Sequence, residues 1–85
     1  MEFDWDRANV EHIARHGVRP EEVEEAFAND PLLVLTIQER SGEERFLCAG
    51  RTRNGRPLQF VYTVRNSKIR VVTAHTPRRR IRDIL

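Results

Sequence analysis

Eighty-five residues, 39% hydrophobic and 33% charged, suffice for one small globular domain over residues 1–85 and for no second core. The longest apolar run, Pro31 to Leu35, is too short to cross a bilayer, and the first residues lack the basic-then-apolar layout of a signal peptide, so a cytoplasmic location without membrane contact is expected. The one cysteine, Cys48, excludes an internal disulfide and a multi-thiolate metal site, and the net charge of +2 conceals an uneven distribution taken up below.

In chain order, "EFDW" predicts a short strand with Phe3 and Trp5 on one face, after which Asp4 or Asp6 caps a helix running from about Arg7 to His16. Its apolar stripe is Val10, Ile13 and Ala14; Glu11 stands at pairing distance in sequence from Arg7 and Arg15, and Gly17 supplies the left-handed stop. Pro20 opens a second helix whose Glu21 and Glu22 suit its positive end, with Val23, Ala26 and Phe27 buried, until Asn-Asp-Pro ends it.

From Leu32 the period changes to that of strands. "LLVLTI", "RFLCAGRT", "LQFVYTVR" and "IRVVTAH" are rich in β-branched and aromatic residues and are separated by Ser41-Gly42, Asn54-Gly55 and Asn66-Ser67. An antiparallel meander follows, with Asn54-Gly55 as its strongest hairpin signal and Cys48 as a buried, inert thiol in its second strand. In the last strand strict alternation puts Ile69, Val71, Thr73 and His75 on one side and Arg70, Val72 and Ala74 on the other. Thr76 then caps a last short helix with Pro77 at its first position and Ile81, Ile84 and Leu85 inward. The expected fold class is α+β: a short N-terminal strand, two helices, an antiparallel β-meander and a short C-terminal helix.

Residues 1–44 carry 12 acidic and 4 basic side chains, residues 45–85 carry 11 basic and 1 acidic, and 14 of the 15 basic residues are arginine. Such a chain presents a basic surface to a polyanion and turns an acidic one away from it or toward a basic partner. Arginine's planar fork matches phosphate oxygens, although arginine-rich codon usage produces the same composition. Arg45, Arg51, Arg65, Arg70 and His75 all fall at or near strand ends, where polar heads reach a rim without crossing the core.

"FDWD" before "RANVEHIARHGV", then "GEERF", "AGRT" and "VYTVRNSKIRVVTA" with an arginine-rich end, resembles the BrnT family over essentially the whole chain. That resemblance implies a compact RelE-like fold and a type II toxin that cleaves RNA without a metal or other cofactor and inhibits translation. It further implies neutralisation by a BrnA-like antitoxin, whose ribbon-helix-helix domain binds operator DNA, so that the toxin meets that DNA only indirectly. Metal-free cleavage uses the 2′-hydroxyl as nucleophile and needs a base, an acid and cations on the phosphorane. By position, the resemblance implies catalytic roles for Arg7, His16, Glu44, Arg45, Arg65 and Arg70. His75 stands where the family has arginine, so it is either a proton carrier or a lost phosphate ligand. Arg78, Arg79, Arg82 and Arg51 are expected to bind RNA phosphates, and "PRRRIRDIL" departs from the family's usual end in lacking a late tyrosine.

Each candidate also has a plainer reading. His12 and His16, at i and i+4, lack a third ligand for a metal. His16 also suits the carbonyls of a helix C-terminus, Glu44 a solvated hairpin, and Arg78, Arg79 and Arg80 a charged helix face. Phe3 and Trp5 suit burial under the first helix better than base stacking. Two further function classes stay open: a catalytically weak nucleic-acid-binding module, or a protein-interaction module whose basic groove holds an acidic antitoxin segment.

Overall fold

The computed structural model describes residues 2–31, 33–40 and 42–85. Helix α1 (Arg7–Ala14) starts because Asp6 accepts from the Asn9 N–H at 3.1 Å while Asn9 Oδ1 accepts from the Asp6 N–H at 2.8 Å, a reciprocal cap. Beyond Ala14 the chain tightens through His16. The Gly17 N–H then donates to Ala14 and the Val18 N–H to Ile13, closing a Schellman stop with Gly17 at φ +69°. The glycine stop falls where the sequence places it.

Helix α2 (Pro20–Ala28) begins with Pro20 at its first position and with Glu22 accepting from the Arg19 N–H at 3.0 Å. Strands β1 (Leu33–Arg40), β2 (Glu43–Arg51), β3 (Pro57–Arg65) and β4 (Lys68–His75) then form one antiparallel sheet in sequential order, and α3 (Arg79–Ile84) closes the chain. The α+β class and the meander match expectation. Ser41 of the expected Ser-Gly turn and Leu32 at the start of the first expected strand lie outside the described residues.

One core joins the layers. Ile13, Val18, Val23 and Ala26 from the helical part meet Cys48, Leu58, Phe60, Tyr62, Ile69, Val71 and Ala74 from the sheet, so both helices cover one face. Gly50 brings α2 against β2: a Cβ there would meet the Ala26 carbonyl oxygen at 2.9 Å. Cys48 is fully buried, and desolvation pushes its thiol up to about 11, which makes it the inert thiol foreseen.

Several expectations are corrected. The N-terminal strand reduces to a single parallel bridge between Phe3 and Ile69, since only Glu2 and Asp4 reach the Ile69 backbone before Asp6 turns the chain into α1. Phe3 and Trp5 do share a face, with rings stacked at 5.9 Å. Ala14 is exposed, and the buried side of α1 is Asn9 and Ile13. Asn54-Gly55 does join β2 to β3 as a hairpin, but within a five-residue loop closed by the Thr52 N–H on the Arg56 carbonyl, whereas Asn66-Ser67 makes the tight two-residue hairpin, both residues having positive φ.

Helix α3 starts at Arg79, capped by Arg78 without a side-chain bond, and not at a Thr76 cap. The reason is local: His75 Nδ1–H donates to the Thr76 carbonyl at 2.9 Å, Pro77 is buried, and the first helical acceptor is the Arg78 carbonyl. Ile84 points to solvent, 72% exposed.

The most consequential correction lies in β4. Val61 pairs with Thr73 but Tyr62 pairs with Val71, so Val72 is an extra residue and the alternation inverts there. Ile69 and Val71 are buried before the bulge and Ala74 after it, which moves Thr73 and His75 onto the face of Arg70.

Candidate functional site

The face of the sheet turned away from the helices gathers the basic side chains. With Phe46 and Cys48 directed to the core, Glu43, Arg45 and Leu47 lie on the open face of β2; on β3 that face carries Val61, Thr63 and Arg65, and Thr63 pairs with Arg70 of β4. Arg45, Thr63, Arg65, Arg70 and His12 line one open depression of about 360 Å³, with Ala8 and Asn9 of α1 at its side. Thr63 Oγ1 donates to the Glu44 carbonyl at 2.8 Å, tying β3 to β2 at this level.

Helix α1 is fastened to the rim by a buried amide. Asn9 Nδ2 donates to the Asp4 carbonyl at 2.9 Å and to the Val71 carbonyl at 3.4 Å, and Asn9 is only 5% exposed. One turn further, His12 Nε2 lies 3.2 Å from Thr73 Oγ1. The three imidazoles form a row: ring centroids are 5.8 Å apart for His12 and His16 and 6.1 Å for His16 and His75. Among the described residues no three histidine, cysteine or acidic side chains converge as metal ligands.

Carboxylates already hold two of the arginines. Arg65 forks onto Glu43 through Nε at 2.6 Å and Nη2 at 3.1 Å, and Arg70 Nη1 lies 2.9 Å from Asp6 and 3.4 Å from Asp4. The hydrogen bond from Arg70 holds the Asp6 carboxyl below its ordinary range, and that from Arg65 does the same for Glu43 while raising Arg65 itself. Arg45 Nε is buried without a partner among the described residues. The site is therefore a cationic floor bordered by the imidazoles and by the carboxylates of Asp4 and Asp6 at the start of α1 and of Glu43 on β2, a chemistry suited to a phosphodiester.

A family model described as the ribonuclease toxin BrnT of type II toxin-antitoxin systems matches residues 5–80. The chain belongs to the BrnT family. Among curated proteins no match was found. Membership makes it a ribonuclease toxin whose system includes an antitoxin and whose substrate is RNA. No helix among the described residues is long and apolar enough to cross a membrane.

Within the BrnT chain the sequence-derived residues fall into separate groups. Arg45, Arg65 and Arg70 share the depression; His16 and His75 stand side by side along the same edge but do not line it. Arg7 is exposed at the start of α1 and paired with Glu11 at 2.8 Å. Glu44 shares its strand parity with core-facing Phe46 and so points to the side opposite Arg45, although both it and Glu43 border a second depression at the strand end with Phe46 and Val64. Glu43 is the carboxylate beside the arginines.

Arg51 is engaged in holding the fold, donating through Nε to the Leu85 carbonyl at 3.3 Å and through Nη1 to the Gly55 carbonyl at 2.8 Å. Arg78, Arg79 and Arg82 are exposed around α3, and Arg82 falls outside the matched span. Sequence reasoning missed His12, Asn9, Thr63 and Thr73. The only signal for His12 was its i, i+4 spacing to His16, weighed for metal binding and not for proton transfer.

Proposed function

We propose that this BrnT-family toxin is a metal-independent endoribonuclease that cleaves RNA by attack of the 2′-hydroxyl on the adjacent phosphate, thereby inhibiting translation. The observation that carries the reading is the convergence of Arg45, Arg65 and Arg70 beside imidazoles on one open sheet face. Guanidinium groups supply the positive charge that a phosphorane calls for, and imidazoles carry protons near neutral pH, so the residues present meet the needs of the step. His75 suits proton transfer: its Nδ1–H is committed to a carbonyl, which leaves Nε2 as the basic nitrogen of the neutral ring. His16 lies next to it, while Arg7 and Glu44 are supporting positions outside the depression. The exposed Arg78, Arg79 and Arg82 extend the cationic track for neighbouring phosphates, with Arg51 bracing the sheet end beneath it.

A BrnA-type antitoxin with a ribbon-helix-helix domain is the proposed neutralising partner in the cytoplasm, linking the toxin to operator DNA indirectly. Val34, Leu35 and Ile37 on edge strand β1 are about half exposed and offer apolar surface to such a protein.

A second reading rests on the ion pairs: Arg65 and Arg70 are each neutralised by carboxylates, as in a module that binds its antitoxin or RNA without cleaving. Incubating antitoxin-free protein with single-stranded RNA in excess EDTA separates the two. Fragments ending in 2′,3′-cyclic phosphate, lost in His75→Ala, support the enzyme; bound but intact RNA supports the binding module.

A further inference from the structure

We propose that His12 is the catalytic base of this toxin and that Thr73 is the positioning residue that holds its ring. The inference rests on the ribonuclease reading above and names a group in that site that its sequence pattern did not single out.

Of the three histidines, His12 is the one that lines the depression with Arg45, Arg65 and Arg70. Its placement is over-determined. The Asn9 amide fixes the α1 backbone to Asp4 and Val71, Ile13 is fully buried beside it, and the ring meets Thr73 Oγ1 at 3.2 Å. The hydroxyl is there because of the Val72 bulge, which turns Thr73 from the core side to the open side. A hydroxyl both donates and accepts, so it fixes the orientation of the ring while letting the ring gain and lose a proton. A threonine across from a half-buried imidazole, with three guanidinium groups sharing the same hollow, is the layout of an oriented base beside a phosphate site.

In the step, Arg45 and Arg70 hold the non-bridging oxygens of one phosphodiester. His12 takes the proton of the 2′-hydroxyl as its oxygen bonds to phosphorus, and the bond from phosphorus to O5′ breaks. His75, joined to His12 through His16 in the row of rings and with its Nδ1–H held by the Thr76 carbonyl, gives the proton of its Nε2 to O5′. The products are a 2′,3′-cyclic phosphate and a 5′-hydroxyl, with one proton accepted and one donated.

The experiment compares wild type, His12→Gln, Thr73→Val and Thr73→Ser on a defined single-stranded RNA in EDTA across pH 5 to 9. For His12→Gln, kcat is expected to fall by about 10²–10⁴-fold with RNA affinity unchanged. Thr73→Val is expected to displace the pH profile, and Thr73→Ser, which keeps the hydroxyl, to restore it. A second measurement covers the case in which His12→Gln fails to fold: the His12 imidazole resonances of wild type are followed by NMR as uridine 3′-monophosphate is added. They are expected to shift, and unmoved signals overturn the proposal. Cleavage by His12→Gln at the wild-type rate overturns the role of His12 while leaving the ribonuclease reading intact, whereas absence of cyclic phosphate product from wild type overturns both.

Discussion

Asp6 binds two things at once: its carboxylate accepts the Asn9 N–H that starts α1, and it lies 2.9 Å from Nη1 of Arg70 in the cationic depression. The pair therefore sets how much of Arg70's charge is free for a phosphate. Because the hydrogen bond from Arg70 lowers the Asp6 pKa from its ordinary 3.8, the stability this carboxylate adds is fully present above that value. It is lost as pH falls through the still lower folded value. Thermal unfolding is thus expected to show no loss from this group between pH 7 and 5 and a loss setting in below about pH 4. Asp6→Asn removes the acid limb of that dependence while keeping the helix start, since asparagine caps as well as aspartate.

Glu43 holds Arg65 through the 2.6 Å and 3.1 Å fork, so in the proposed ribonuclease site it competes with the RNA backbone for that guanidinium. Replacing it by glutamine leaves the strand intact and frees one guanidinium on the open face. RNA binding by Glu43→Gln is expected to tighten severalfold, and the slope of log K against log salt to steepen by about 0.7, the value for one more phosphate neutralised on a single strand. Filter binding over a salt series measures both; an unchanged slope shows that Arg65 does not meet the backbone.

Gly50 tests the packing of helix on sheet. The obstacle to a side chain there is the Ala26 carbonyl at the end of α2, which is backbone and moves only if the helix does. Gly50→Ala is expected to destabilise the fold by about 1–3 kcal/mol, read as a lower urea midpoint with an unchanged m-value.

The elements were legible because local chemistry decides them: Asp6 and Pro20 start the helices, Gly17 stops the first, and β-branched runs mark four strands. The arginine-rich half was equally plain. What sequence could not give was parity. One extra residue, Val72, inverts the faces of β4 and brings Thr73 and His75 to the side of Arg70; no turn residue or composition shift announces it. Parity also separates Glu43 from Glu44: family position favours Glu44, but alternation sets Glu43 beside Arg65. Asn9, a polar residue outside the apolar stripe of its helix, is buried because its amide meets carbonyls 5 and 62 residues away. Such long-range pairing leaves no trace in local pattern.

The hairpin between β3 and β4 carries a strain that one substitution relieves. Asn66 and Ser67 sit at φ 51° and 61°, a region that asparagine tolerates and serine does not favour. Glycine at the second position removes a left-handed cost of roughly 1–2 kcal/mol and adds back part of it as unfolded-chain entropy. Ser67→Gly is therefore expected to stabilise the protein by about 0.5–1 kcal/mol, which for a domain of this size raises Tm by a few degrees. Arg65 and Lys68 pair directly across this turn, so the same change is expected to hold the end of β3, and with it the Arg65 to Glu43 fork, at least as firmly as before. Calorimetry of Ser67→Gly beside wild type measures it, and a lower Tm means that the serine at this position makes up for its backbone cost through interactions of its own.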